Sequence, residues 1–284
     1  MEAGKHSYMA EATALLRAAH QVLDADPKIL QDPLALSLLG SDTEDRIQAD
    51  LERMQREHLR GARAFAVMRS RFTEDALAEA VANGVGQYVI LGAGLDTFAY
   101  RNPFPEDELT VFEIDHPDTQ RWKLGQLEAA GVTPPANVHY TPVDFEKQSL
   151  AEGLASGDFD SAKPAFFSWL GVTYYLNMEA VLETFKIVGG MPSSSQLVFD
   201  FVVDDSVLTE SEQAGVARVS NVVKGYGEPW LSRFAPNALQ ETLLGLGFSA
   251  TRYVSASETH EMYFASRSDG LFAHSALQLM SATV

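Results

Sequence analysis

The stretch Val89-Ile90-Leu91-Gly92-Ala93-Gly94-Leu95-Asp96-Thr97 constrains this chain more than any other, because a short apolar run breaks directly into two glycines one residue apart. An unbroken apolar run is the pattern of a strand buried on both faces, and residues without side chains at its end let the backbone bend tightly and expose N–H groups. A nucleotide-like cofactor is a natural occupant of such a bend. Taken alone, the glycine pair is explained equally well by a bare tight turn.

The surroundings decide in favour of a parallel α/β sheet. Apolar runs at 88–91, 109–114, 138–143, 165–170 and 196–203 alternate with helix-prone stretches at 97–100, 117–130 and 178–188, with two more helical pieces between 205 and 246. Two final runs, 250–254 and 261–265, are separated by the polar stretch 255–260, short enough for antiparallel neighbours. The pattern predicts a doubly wound seven-stranded sheet, five strands parallel and the last two a C-terminal antiparallel hairpin. Residues 8–82 carry no strand signal and read as an N-terminal helical cap, with helices over 10–23, from Asp32-Pro33, and over 42–72. We expect one domain over 1–284: a cap (1–82), a Rossmann-like core (83–270) and a tail without clear signal (271–284).

Composition narrows the function. Apolar residues make up 46% of the chain, enough for a sizeable core, and the net charge of −18 repels a polyanion, so nucleic acid is not an expected partner. The absence of cysteine excludes a disulfide scaffold, a thiolate nucleophile, a zinc–thiolate site and an iron–sulfur cluster. The seven histidines show no metal-ligand spacing, so no metal is expected. With neither a secretory start nor a run of 18 apolar residues, a cytoplasmic protein off the membrane is expected.

A second strand, Val111-Phe112-Glu113-Ile114-Asp115, ends in carboxylates about 20 residues beyond the bend, where an acidic side chain can accept from both hydroxyls of a ribose. Glu113 and Asp115 share a face, and Asp115, nearer the strand end, is the ribose candidate; a pair of solvated strand-end residues is the competing reading. A pyrophosphate-bearing dinucleotide wants a third glycine, where this chain has Thr97, and no phosphate-cradling P-loop is present. S-adenosyl-L-methionine, an adenosine cofactor without phosphates, fits better. Asp144 and Phe145, after the third strand, offer a polar partner and apolar cover for adenine; Asp144 is equally suited to capping the next helix.

The segments 90–97, Tyr100-Arg101, Phe112-Glu113-Ile114-Asp115-His116-Pro117 with Lys123, and Met68-Arg69-Ser70-Arg71-Phe72 together resemble the leucine carboxyl methyltransferase family, in its bacterial branch of S-adenosylmethionine-dependent O-methyltransferases. Ser168-Trp169-Leu170-Gly171-Val172-Thr173-Tyr174-Tyr175-Leu176 and Gly227-Glu228-Pro229-Trp230 agree with it, and the likeness runs from roughly Arg17 to the last strand. The resemblance implies a class I methyltransferase-like fold in which Arg69 holds the methionine carboxylate. Gly92, with Ala93 and Gly94, lies along the sulfonium end, Asp115 takes the ribose, and Asp144 and Phe145 take adenine. Arg17 is a second basic candidate for the carboxylate. Leu170 stands where many relatives carry Glu, so a polar contact to the methionine amino group does not carry over.

Arg53, Arg56, Arg60 and Arg63 recur at helical spacing among glutamates and read as a solvated, ion-paired face. Tyr174, Tyr175, Tyr226 and Trp230 are candidates for the acceptor wall, with ordinary core packing the alternative. The expected reaction is in-line methyl transfer to an oxygen of a small-molecule acceptor. A carboxylate is already ionised and needs no base, whereas a hydroxyl would need one that the sequence does not single out; no catalytic residue is assigned. Methylation of a protein C-terminal carboxylate and nicotinamide-dependent oxidoreduction are the alternatives. Oligomeric state is not encoded in any feature of the sequence.

Overall fold

The computed structural model describes residues 6–144, 148–225 and 227–284. The N-terminal part is helical: α1 (Tyr8–Leu23), α2 (Leu34–Ser37), α3 (Thr43–Ala49), α4 (Leu51–Met54) and α5 (Glu57–Ala82). The single long helix expected over 42–72 is therefore three. Arg56, with ψ of 141°, interrupts the run. The break lets Ile47 and Met54 pack with Ala18 and Ala19 of α1, while α5 takes a new course with Phe65, Met68 and Phe72 against Tyr88 and Ile90.

The rest alternates as β1 (Gln87–Leu91), α6 (Phe98–Arg101), β2 (Thr110–Asp115), α7 (Pro117–Ala129), β3 (Val138–Pro142), α8 (Leu150–Ala155), β4 (Phe166–Trp169), α9 (Met178–Gly189), β5 (Gln196–Val202), α10 (Glu210–Gly225), α11 (Pro236–Gly245), β6 (Ala250–Val254), α12 (Ala256–Tyr263) and β7 (Leu277–Thr283). They form one seven-stranded sheet in the order β3-β2-β1-β4-β5-β7-β6. The first five are mutually parallel and β7 is antiparallel to both neighbours. β1 is buried throughout, as a central strand covered on both faces must be: Val89 and Leu91 join the core with Phe167, Trp169 and Phe185, while Tyr88 and Ile90 face α5.

The closing pair corrects the sequence reading. Residues 261–265 end α12 and are not a strand; the partner of β6 comes from the segment assigned to the tail. β7 inserts between β5 and β6, with Leu279, Met280 and Ala282 buried. The physical cause is local: the Ser255 side chain accepts from the Glu258 N–H at 3.2 Å, which starts a helix where polar loop was expected.

From β1 the chain moves outward to β2 and β3, then returns to lay β4 on the other flank of β1. The strand order reverses there, and a crevice opens at the carboxyl ends of β1 and β4, the position where open α/β sheets bind ligands.

Candidate functional site

That crevice is a cavity of about 400 Å³. Its floor is the bend after β1 together with Asp115, His116 and Asp144; one side comes from α1 and α5, and the far side from residues 170–172 and 174–176 with Val219, Val223 and Trp230.

Both glycines of the bend adopt positive φ, +67° at Gly92 and +48° at Gly94, a conformation that favours residues without Cβ. The Gly92 and Ala93 N–H groups donate to Ile114 O at 2.8 and 3.1 Å, locking the bend to the end of β2. A Cβ on Gly92 would lie 2.4 Å from Val172 Cγ2, and one on Gly94 would lie 3.2 Å from Ala10 Cβ of α1. Backbone is thus packed closely from both sides.

Asp115 stands beside the bend. Its Oδ2 accepts from the Gly94 N–H and its Oδ1 from the His116 N–H at 2.6 Å. Burial pushes the carboxyl above its ordinary range, with these two bonds pulling the other way. A carboxylate offers about four acceptor positions, and these two bonds use two of them. Asp144 also lines the cavity, its Oδ2 3.9 Å from His116 Nε2, while His116 Nδ1 accepts from the Asp118 N–H at 3.2 Å. Glu113, on the same strand face, is instead a core residue: it is fully buried and takes a 2.7 Å bond from Lys123 Nζ.

At the opposite end, Arg69 reaches in from α5. Its Nη1 is 2.6 Å from Oδ2 of the fully buried Asp200 of β5, and it donates to Tyr174 Oη at 3.4 Å. The other Asp200 oxygen accepts from the Gly171 N–H at 2.6 Å. Gly171 has φ +78°, and a Cβ there would stand 2.8 Å from Arg69 Nη2, so this glycine makes room for the guanidinium. Sequence reasoning named Arg69 and Leu170, both on the cavity wall, and missed Asp200. A lone acid inside Leu197-Val198-Phe199-Asp200-Phe201 was the available signal, since a buried charge needs a partner.

Tyr174, Tyr175 and Trp230 form an aromatic wall, with ring centroids 4.7 Å apart for the tyrosine pair and 5.6 Å between Tyr174 and Trp230. Burial pushes both tyrosine hydroxyls well up, so they stay neutral. Phe145 and Tyr226 lie outside the described residues.

The arginine stripe does not sit on one solvated face. Arg53 is on α4 and pairs with Asp50 at 2.9 Å, and Arg60 donates to Asp269 O and Gly270 O. Arg63 is fully buried, with a two-pronged bond to Asp24 at 2.8 and 2.8 Å. Helical spacing alone did not reveal Asp24, some 40 residues away and outside α5. Arg17 spends Nε on Asp32 at 2.9 Å and Nη2 on Leu95 O at 2.5 Å. Asp32 also accepts from Thr97 Oγ1 at 2.8 Å, so the residue in the third glycine's place ties the bend to the cap. Among the described residues no helix is long and apolar enough to cross a membrane.

Comparisons with known proteins bear on the family and the fold. The profile of the leucine carboxyl methyltransferase family matches residues 10–189. YktD of Bacillus subtilis, provisionally named an S-adenosyl-L-methionine-dependent methyltransferase, is 31% identical over 267 residues, covering 92% of this chain and 86% of the relative. A Mycobacterium avium protein with the same provisional description is 34% identical over 206 residues, 70% of this chain and 68% of its own length. Among solved structures, a DUF574-family protein from Streptomyces avermitilis superposes with a TM-score of 0.57 at 15% identity, over 96% of each chain. A Thermobifida fusca protein, provisionally described as a methyltransferase, gives 0.57 at 15% identity over 99% of this chain and 96% of that one. These two establish the likeness of fold. On the family profile and the sequence relatives, the chain belongs to the leucine carboxyl methyltransferase family and, with it, to the S-adenosyl-L-methionine-dependent methyltransferases.

Proposed function

We propose that this chain transfers the methyl group of S-adenosyl-L-methionine to an oxygen of a small-molecule acceptor, and that the acceptor oxygen belongs to a carboxylate. The observation that carries this reading is that one cavity joins the Gly92–Gly94 bend and Asp115 at one end to Arg69 and an aromatic wall at the other. The residues fit the cofactor: close-packed positive-φ glycines leave backbone against which an adenosyl group can lie, and Asp115 keeps acceptor capacity for two ribose hydroxyls. Asp144, with Phe145 beyond it in sequence, is assigned to adenine. Arg69 is assigned to the methionine carboxylate, using donors of its five-pronged fork other than the Nη1 contact to Asp200. Ala93 continues the bend, and Leu170 offers the amino group no side-chain acceptor.

When bound, the cofactor supplies an electrophilic methyl on a sulfonium. The chain's own task is to align and desolvate the attacking oxygen. Among the described lining residues, the groups facing the acceptor end suit an oxygen that arrives already ionised. Tyr174 and Tyr175 hold their protons, and His116 sits at the floor with Nδ1 already engaged. Because Tyr174 Oη accepts from Arg69, its own O–H proton is left to orient an acceptor carboxylate. Tyr175, Trp230 and Tyr226 are assigned to the acceptor's apolar body, and a cavity of this size suits a small molecule.

Calorimetry with S-adenosyl-L-methionine, followed by transfer of a labelled methyl to a panel of apolar carboxylic acids, tests the reading. The expected product is a methyl ester that releases labelled methanol in base. A base-stable product would place the methyl on a hydroxyl or nitrogen, and no uptake of the cofactor by folded protein would overturn the whole assignment.

A further inference from the structure

The Gly92–Gly94 bend is covered by the first turn of α1, and that turn is fastened from across the cavity by Glu228, to which the sequence reading gives no role. Glu228, in the segment between α10 and α11, accepts from Ser7 Oγ at 3.2 and 3.3 Å through its two carboxylate oxygens, and from the Met9 N–H at 3.4 Å. Ser7 is the N-cap of α1 and its hydroxyl also accepts from the Ala10 N–H at 3.1 Å; its own N–H donates to Thr119 Oγ1 at 3.4 Å on α7. A carboxylate is therefore set against the positive end of a 16-residue helix whose first N–H groups have no partner within the helix. The consequence is positional. Ala10, one residue past Met9, presses to within 3.2 Å of where a Gly94 side chain would begin. Ser7, Met9, Ala10 and Glu228 all line the cavity, as does Trp230 two residues beyond Glu228.

We infer that Glu228 is a positioning residue: its carboxylate, with Ser7, forms a latch that holds the α1 first turn closed over the cofactor, and cofactor and product exchange requires the latch to open. The inference rests on the reading under Proposed function, since it presupposes that the cofactor lies along the bend. The latch is only partly buried and its bonds are long, so it is weak enough to open in each cycle, yet it links the cofactor side to the aromatic wall. An acceptor seated against Trp230 would close the same segment that carries Glu228.

The test is release of S-adenosylhomocysteine from the full chain, followed by stopped-flow competition, in wild type, Glu228→Ala, Glu228→Gln, Ser7→Ala and the Ser7→Ala/Glu228→Ala double variant. Glu228→Ala and Ser7→Ala should each speed release by about tenfold, with the double variant well short of the product of the two, because both remove the shared Ser7–Glu228 bond while each leaves one further contact, Glu228 with the Met9 N–H or Ser7 with the Ala10 N–H. Glu228→Gln keeps an acceptor without the charge and should fall in between. The KM for S-adenosyl-L-methionine should rise with release while kcat does not fall. Unchanged release rates, additive single effects, or a loss of kcat and melting temperature alone would overturn the latch and leave Glu228 with a structural role only. If the wild type takes up no S-adenosyl-L-methionine, the functional reading fails first and the latch falls with it; uptake by the wild type with identical release in the variants sinks the latch alone.

Discussion

Arg69 of α5 and Asp200 of β5 are 131 residues apart in sequence and 2.6 Å apart in space, and Asp200 has no exposed surface. The pair joins the cap to the sheet where Arg69 lines the cavity. Removing one charge from such a pair leaves the other buried without compensation, which costs about 3 kcal/mol or more. Asp200→Asn should therefore lower the urea unfolding free energy by about that amount, although the amide oxygen can still accept from the Gly171 N–H. Arg69→Lys keeps the charge and loses the fork, so it should weaken cofactor binding in calorimetry more than it weakens the fold. Equal losses of both in the lysine variant would mean that Arg69 serves structure alone.

At Gly92 two costs of adding a methyl can be separated. Gly92→Ala is strained by its φ of +67°, at about 1 kcal/mol, and drives the new Cβ against Val172 Cγ2, which cannot rotate away freely because a β-branched side chain is stiff at χ1. Since Val172 lines the cavity, the collision should push it into the space where the cofactor is proposed to lie. Gly92→Ala should therefore lower cofactor affinity by tenfold or more, on the order of 1.4 kcal/mol. Adding Val172→Ala should restore most of it, leaving only the backbone strain visible in the melting temperature. A double variant as weak as the single would assign the loss to the backbone.

The pH dependence of Asp115 separates binding from stability. Burial raises its folded-state pKa above the ordinary 3.8. Within the window above 3.8 the native state then binds its proton more tightly than the unfolded chain, so this group's contribution to stability falls as pH rises through the folded pKa and is regained on acidification. On the proposed role of Asp115, binding runs the other way, because a protonated carboxyl loses acceptor capacity for ribose hydroxyls. Calorimetric titrations from pH 7 down to about 4 should show affinity for S-adenosyl-L-methionine fading at a pH higher than an exposed Asp would give, and Asp115→Asn should bind weakly with that dependence flattened. The stability difference between wild type and variant over the same range should carry the opposite slope.

How much of this was legible in the sequence follows from which forces are local. The five parallel strands and the bend are legible because continuous apolar runs and paired glycines are local signatures, and the place of Asp115 at the end of β2, on the cavity lining, follows from the same pattern. The final strand could not, since Leu277-Gln278-Leu279-Met280-Ser281 alternates weakly and gains its burial from two neighbours distant in sequence. Residues 261–265 were misread as strand although Ser255 and Glu258 carry the spacing of a helix start. A motif names Arg69 and another contains Glu228, but their partners Asp200 and Ser7 sit 131 and 221 residues away on other elements, and pairing over such distances leaves no trace in spacing.

The buried network at Arg63 makes the converse prediction, a large effect on folding with none on turnover. Arg63 Nε and Nη2 bond the two Asp24 oxygens, Nη1 donates to Met54 O at 2.9 Å, and His20 Nδ1 lies 2.8 Å from Asp24 Oδ2 while its Nε2 accepts from the Ile29 N–H at 3.1 Å. None of these residues lines the cavity. Burial opposes ionisation of Asp24, but the bonds from His20 and Arg63 outweigh it and hold the carboxyl below 3.8. A depressed folded-state pKa contributes stability that is present above the unfolded value and lost as pH falls through the folded one, so the network should fail on acidification below about pH 4. Arg63→Met should cost about 3–5 kcal/mol by stranding the carboxylate, and Asp24→Leu in the same chain should recover much of it, because an apolar pair of similar volume needs no desolvation. At a temperature where all variants stay folded, kcat and the KM for S-adenosyl-L-methionine should match wild type. A shift in either constant that tracks the loss of Arg63 would show that the network also sets the position of α5, and with it Arg69, six residues further along the same helix.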